Sequence, residues 1–257
     1  MNAKSAFCLL FCCLNLVAAQ LVAQQLRVLT PSKYKDITET ALDWQNLAFV
    51  AEAFRGDVAA ALSATDSALV LWEKLGEKPE IANLSRYRGY LLAQLNRPKE
   101  AKAEMQRALA LYQQQKAVYG LAITHFDLGR VCLFAHEIDS ALYYTGISLK
   151  SWQAQKQDSR IFLAKIQLIY LFTLQFNFPE AERLQGELAE ASQQLSLYRL
   201  WQLDYWFVNM FLSEKQQNWS AYESYQQQYQ SLIAEFAAEG STVVSFYNRP
   251  QDFPARY

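Results

Sequence analysis

The chain is poor in residues that break helices and in patterns that build reactive sites. Its 257 residues include eight glycines and six prolines, too few for an all-β protein with its many tight turns. It contains no CxxC, HExxH or GxSxG motif and no glycine-rich phosphate loop. These absences favour long helices and argue against a metalloenzyme, a serine hydrolase or a nucleotide-binding protein. We therefore expect neither a metal nor a cofactor.

Isolated chemistry-bearing residues have structural explanations. His125 and His136 are the only histidines, and their spacing is not that of a metal-ligand pair. His125 is interpreted as a packing or surface residue of a helix, and His136 as a capping residue in a turn. Cys132 falls at an inward-facing helical position, where a free cysteine usually behaves as a small hydrophobe. An enzyme is thus the third-ranked reading, because unremarkable residues can also assemble an active site.

The N-terminus has the pattern of a secretory signal peptide. Lys4 precedes an apolar run over residues 6–17, and the small residues at 17–19 suit cleavage after Ala19. The run is shorter than the roughly 20 residues of a bilayer span, although an uncleaved anchor and a lipoprotein remain alternatives. The predicted mature chain keeps only Cys132, so it forms no internal disulfide.

The charges of the predicted mature chain nearly balance. Removing Lys4 leaves 23 basic and 25 acidic residues, a net charge of −2 with histidine neutral. A chain without a basic excess has no general attraction for nucleic acid or for anionic membranes. We therefore expect neither of these partners, nor stable membrane insertion after signal cleavage.

A 40-residue repeat organises the rest of the sequence. Five related segments begin at residues 57, 97, 137, 177 and 217, and a period of this size is typical of a solenoid of stacked helical units. A small side chain at one fixed position lets two antiparallel helices approach closely where they cross. The alanines in this register are Ala61, Ala101, Ala141, Ala181 and Ala221. Each repeat is then predicted to be a first helix, a short turn and a second helix.

This pattern resembles the tetratricopeptide repeat family, in its longer 40-residue variant. The resemblance rests on Gly89, Leu128-Gly129, the alanine after each turn, and the Ala108-Leu109 pair. It implies an all-α, right-handed α-solenoid of about five antiparallel helix pairs. The predicted divisions are a signal peptide (1–19), a leader (20–39), a repeat domain (40–238) and a C-terminal tail (239–257). The predicted repeats are about 42–81, 82–121, 122–161, 162–201 and 202–238.

In the resembled family the first helices line a concave groove that binds proteins. Carrying this pattern over implies a set of groove residues rich in aromatic and arginine side chains, which suit protein binding. These residues are Asn83, Arg86, Tyr90, Gln94, Phe126, Arg130, Tyr170, Trp206 and Met210.

The predicted function is a non-catalytic scaffold, periplasmic or secreted, that binds a protein or peptide in this groove. The alternative is a ligand- or peptide-sensing component of an envelope signalling system, since the longer repeats resemble sensor regions. The sequence leaves the oligomeric state open.

Overall fold

The computed structural model describes residues 36–194 and 199–239, and this part of the chain contains ten α-helices and no β-strand. The predicted signal peptide, residues 20–35 of the leader and residues 240–257 of the tail lie outside the described residues. The helices are α1 (Ile37–Arg55), α2 (Val58–Leu75), α3 (Lys78–Gln94), α4 (Pro98–Gln114), α5 (Val118–Phe134), α6 (Ile138–Ala154), α7 (Asp158–Leu174), α8 (Phe178–Gln194), α9 (Arg199–Lys215) and α10 (Trp219–Ala238).

The helices form five consecutive pairs. The two helices of a pair pack against each other, and the second helix of each pair also contacts the first helix of the next. The first helices (α1, α3, α5, α7 and α9) are neighbours as well, since α3 contacts α5 and α7 contacts α9. The predicted all-α, right-handed solenoid of about five helix pairs is confirmed.

The helix ends follow a 20-residue rhythm. A residue with positive φ ends one helix after another, and after most of these ends the next backbone N–H bonds back to a carbonyl five residues earlier. Glu137, for example, donates its N–H to the Cys132 carbonyl at 2.8 Å. This bond satisfies a carbonyl that the helix leaves without a partner. The left-handed residues are Gly56, Gly76, Asn96, Lys116, His136, Lys156, Phe176 and Gln217.

Small residues mark the places where paired helices cross. The repeat alanines Ala61, Ala101, Ala141 and Ala181 are fully buried. Gly129 lies opposite them on a first helix, and a Cβ added there would be 2.5 Å from Thr145 Oγ1. The alanine and the glycine therefore allow the close helix contact that the repeat pattern predicts.

The fifth pair is shifted by one residue, and the predicted register of Ala221 is wrong. Helix α10 begins at Trp219, 41 residues after α8 begins, and Ala221 is half-exposed. Four residues separate α8 from α9, whereas three separate α6 from α7. The extra residue moves Tyr222 into the position that Ala181 occupies in the fourth pair.

The last helix of the array has a polar outer face. Its buried side chains, Tyr229, Leu232 and Phe236, pack toward α9. Its exposed positions include Glu223 and Gln227, as expected of a terminal helix that ends a solenoid. Among the described helices, none is both long enough and apolar enough to cross a bilayer.

Candidate functional site

One line of side chains runs along the first helices of all five pairs. Phe49, Tyr90, Arg130, Tyr170 and Phe211 occupy equivalent positions, spaced 41, 40, 40 and 41 residues apart. We call this line the ladder. Its planar groups, four aromatic rings and one guanidinium, come from neighbouring first helices and lie on the face that these helices form together.

Two pairs of neighbouring members of the ladder stack on one another. The Arg130 guanidinium carbon lies 4.1 Å from the centroid of the Tyr90 ring, within the range of a cation–π interaction. Tyr170 and Phe211 have centroids 4.8 Å apart and planes inclined by 30°, an offset-stacked arrangement. Phe49, at the N-terminal end, is 56% exposed. The ladder therefore presents an exposed aromatic ring at its N-terminal end and two stacked pairs further along.

A buried carboxylate joins two arginines beside the ladder. Asp127 Oδ2 accepts a hydrogen bond from Arg86 Nη1 at 2.5 Å, and Asp127 Oδ1 accepts one from Arg130 Nη1 at 3.3 Å. The side chain of Asp127 is 5% exposed, that of Arg130 is 11% exposed and that of Arg86 is 23% exposed. Burial opposes the charge of Arg86, but the adjacent Asp127 outweighs it and raises the pKa of Arg86. Two positive charges thus share one carboxylate.

Polar contacts continue on both sides of this cluster. The Tyr112 hydroxyl donates to Asn83 Oδ1 at 2.5 Å, and the Tyr90 hydroxyl donates to Glu52 Oε1 at 3.5 Å. Burial raises the pKa of Tyr112, although Arg86 works against this shift, so Tyr112 stays a hydrogen-bond donor at neutral pH. The contacts connect α1, α3, α4 and α5 and fix the side chains of the first-helix face.

The predicted site residues differ widely in their accessibility. Asn83 is exposed, whereas Phe126 is 5% exposed and packs on Trp152 with centroids 5.2 Å apart. Phe126 and Arg130 are therefore buried beneath the more exposed side chains of this face. The half-buried members are Arg86, Tyr90, Gln94, Tyr170, Trp206 and Met210.

The structure brings Tyr90, Arg130 and Tyr170 into one line but places a different residue at its end. Because the fifth pair is shifted by one residue, Phe211 and not Met210 is the neighbour of Tyr170. Trp206 and Met210 instead pack at the edge of the α9–α10 core.

Sequence reasoning also missed Phe49, Glu52 and Asp127. The i, i+3 spacing of Asp127 and Arg130 was the available signal for the ion pair.

The described residues contain no group of three or more His, Cys, Asp or Glu side chains that would hold a metal ion. Cys132 is 1% exposed, and burial raises the pKa of its thiol to about 11, which makes it a poor nucleophile. The groups that the first-helix face presents are aromatic rings, amides and guanidinium groups.

Comparison with known proteins places the fold and leaves the family open. No family model matches the chain, and no curated protein matches it. One similar solved structure, from Podosopora anserina, is described as a kinesin light chain whose own TPR-like repeats are nearly identical to one another. It has a TM-score of 0.61 and 11% sequence identity to this chain, and the match covers 80% of this chain and 100% of that one.

Two Rap protein structures are also similar in fold. The apo form of RapI has a TM-score of 0.60 and 13% identity, covering 94% of this chain and 90% of that one. A Rap protein complexed with Competence and Sporulation Factor has a TM-score of 0.65 and 12% identity, covering 96% and 72%. The predicted tetratricopeptide-type repeat is therefore confirmed at the level of fold.

Proposed function

We propose that the protein is a non-catalytic scaffold that binds a protein or peptide segment along its first-helix face. The observation that carries this proposal is the ladder, because its exposed and half-buried rings, Phe49, Tyr90, Tyr170 and Phe211, come from four first helices and lie in one line around the buried Arg130. Aromatic and arginine side chains are the groups that contribute most to binding at protein interfaces. Helices hold them in place, so little side-chain entropy is lost when a ligand binds.

The exposed and half-buried members of the face have different roles in this proposal. Phe49 and Asn83 contact the ligand directly, because both are exposed. Tyr90 and Tyr170 present their accessible edges, and Arg86 offers a guanidinium whose side chain is 23% exposed. An extended segment rising about 3.3 Å per residue passes several of these groups, and side chains about three residues apart meet successive first helices at the usual spacing of about 8–10 Å.

Peptide-library selection against residues 20–257 tests this proposal. Phe49→Ser removes an exposed ring from the ladder, and we expect it to weaken binding of the selected peptides at least about tenfold, as for a truncated interface anchor. Tyr143→Ser is the matched control, because Tyr143 is 65% exposed on the second helix α6 and should leave binding unchanged. Equal losses in both variants, or no selectable peptide, would refute the assignment of the face.

A sensing component of an envelope signalling system is the second candidate. The similar Rap protein was crystallised with Competence and Sporulation Factor, which supports a signalling ligand as one possible occupant of such a fold. Mass spectrometry of ligands retained by the protein purified from its native source separates the two functions. A small peptide or metabolite that competes with the library peptides favours sensing, whereas a retained protein favours the scaffold.

Export belongs to the same proposal and is supported by the N-terminal pattern of residues 1–19. We propose a periplasmic or secreted protein whose mature chain begins at Gln20. N-terminal sequencing of the protein from its native source, together with fractionation, tests this assignment. A mature protein that still begins at Met1 would refute cleavage.

A further inference from the structure

The turns that join the two helices of each pair form one edge of the solenoid, which we call the turn edge. Hydrogen bonds link consecutive turns along it. Lys102 Nζ donates to Glu137 at 2.5 Å, and Gln175 Nε2 donates to Asp139 at 2.6 Å. A further bond joins the fourth and fifth pairs, from Gln216 to Glu182 at 2.7 Å. From the second pair to the fifth, the turn edge is therefore a hydrogen-bonded surface, separate from the ladder.

The fourth and fifth turns expose aromatic side chains. Phe176 is 68% exposed and adopts φ 57°, a left-handed conformation that costs a bulky residue energy and that glycine adopts freely. Trp219 is 57% exposed in the neighbouring turn. Each has an aromatic companion at edge-to-face geometry, Phe178 at 6.0 Å and Tyr222 at 6.1 Å. Exposed rings grouped in two neighbouring turns indicate a surface that is used for contact.

Charge is divided unevenly along the same edge. We count from the last residue of each first helix to the fifth residue of the second helix. The first two pairs then carry a net charge of +2, from Arg55, Arg97, Lys99 and Lys102 against Asp57 and Glu100. The other three pairs carry −4, from Glu137, Asp139, Glu180, Glu182 and Glu223 against Lys215. Pair by pair the net charges are 0, +2, −2, −2 and 0, so the basic charge lies at the second turn and the acidic charge at the third and fourth. The exposed rings lie at the fourth and fifth turns.

We propose that two copies of the chain pair antiparallel along the turn edge, so that the basic second pair of each lies against the acidic, aromatic fourth pair of the other. In a two-fold arrangement the second pair of one copy faces the fourth pair of its partner. Arg97, whose guanidinium also bonds Glu100 of its own chain, then faces the Phe176 ring of the second copy, and Lys99 meets the Glu182 carboxylate. The central acid Glu137 is already paired with Lys102 within each copy. Opposite charges and cation–π contacts complement each other at the two symmetric contacts between second and fourth pairs.

The charge pattern also decides against other occupants. An anionic membrane would be repelled by the fourth turn, where Glu180 and Glu182 lie near the exposed Phe176 ring. A basic apolar partner would complement the fourth turn but would leave the basic second pair without a function. A second copy complements both turns at once, and five helix pairs at the usual spacing of about 8–10 Å give an edge roughly 40 Å long.

Sedimentation velocity between about 1 and 100 µM, where interfaces of modest affinity dissociate, measures the association of residues 20–257. The wild-type protein should sediment as a dimer in the upper part of this range. Phe176→Gly removes the ring and relieves the backbone, so we expect a higher melting temperature together with a dissociation constant at least about tenfold higher. Lys156→Gly is the matched control, because Lys156 has φ 54° in a turn on the opposite edge. It should raise the melting temperature and leave the dimer unchanged.

A charge swap tests the orientation of the two copies. Lys99→Glu and Glu182→Lys should each weaken the dimer at least about tenfold, because each creates like-charge contacts in the symmetric pair. An equimolar mixture of the two variants restores opposite charges at both contacts and should sediment as a dimer again. A monomeric wild-type protein, a dimer insensitive to Phe176→Gly, or a mixture that stays monomeric would each overturn the proposal. A monomer that binds polylysine through the same edge would assign it to a basic partner instead.

Discussion

Replacing Asp127 by asparagine leaves two arginines without their shared carboxylate. Loss of one partner from a buried ion pair costs about 3–5 kcal/mol. Asp127 and Arg130 have side chains that are 5% and 11% exposed, but Arg86 is 23% exposed and reaches solvent. We therefore expect the lower part of that range, about 3 kcal/mol. At about 2–4 °C per kcal/mol for a chain of this size, the melting temperature should fall by roughly 6–12 °C.

Urea denaturation followed by far-ultraviolet circular dichroism measures this loss, with Asp66→Asn as the matched control. Asp66 accepts from Arg88 Nε at 2.6 Å, but its side chain is 47% exposed, so its loss should cost at most about 1 kcal/mol. Equal losses for the two variants would refute the importance of burial. In a further variant, Asp127→Leu with Arg86→Met and Arg130→Met, apolar packing should recover most of the stability.

Three further predictions concern packing, reactivity and helix ends. Gly129→Ala should destabilise the protein by about 1–3 kcal/mol, because the added Cβ meets Thr145. Gly146→Ala has nothing within 4 Å of the added Cβ and should stabilise the protein by about 0.5–1 kcal/mol. Urea denaturation measures both changes in the free energy of unfolding, and changes of the same sign would contradict this prediction. Cys132, with a pKa of about 11, should stay protonated at pH 8 and react with iodoacetamide only in urea, as mass spectrometry would show; rapid labelling of the folded protein would argue against its burial. Lys116→Gly replaces a residue at φ 53° and should raise the free energy of unfolding by about 0.5–1 kcal/mol. Calorimetry measures this gain, and an unchanged free energy of unfolding would contradict the prediction.

The 40-residue pattern predicted the helix pairs because burial depends on local spacing that a sequence shows directly. Ala61, Ala101, Ala141 and Ala181 are fully buried as expected. The position of the fifth pair was predicted one residue too early, because a single extra residue in a connection shifts every later position and leaves the helical pattern intact. The 40-residue spacing therefore selected Ala221, whereas Tyr222 occupies the position equivalent to Ala181.

The site was predicted less completely because the sequence does not show which polar residues meet across helices. Tyr90 and Arg130 are 40 residues apart, and their common register assigned both to the predicted groove. Asp127 belongs to the same helix as Arg130, but its bond to Arg86 depends on how α3 packs against α5. Phe126 lies 40 residues after Arg86 and was predicted to line the groove with it. Packing against Trp152 buries the Phe126 ring instead.

The regular left-handed residues also bear on how such an array changes in length. Most of the described helix ends are completed by a bond to a carbonyl five residues earlier, so each such end depends on its own helix and not on distant partners. Excision of residues 97–136 would join Asn96 to Glu137 and give every remaining helix the same kind of end that it has now. Duplication or loss of 40-residue units can therefore lengthen or shorten the molecule by whole helix pairs. Each such gene rearrangement would add or remove one side chain of the ladder.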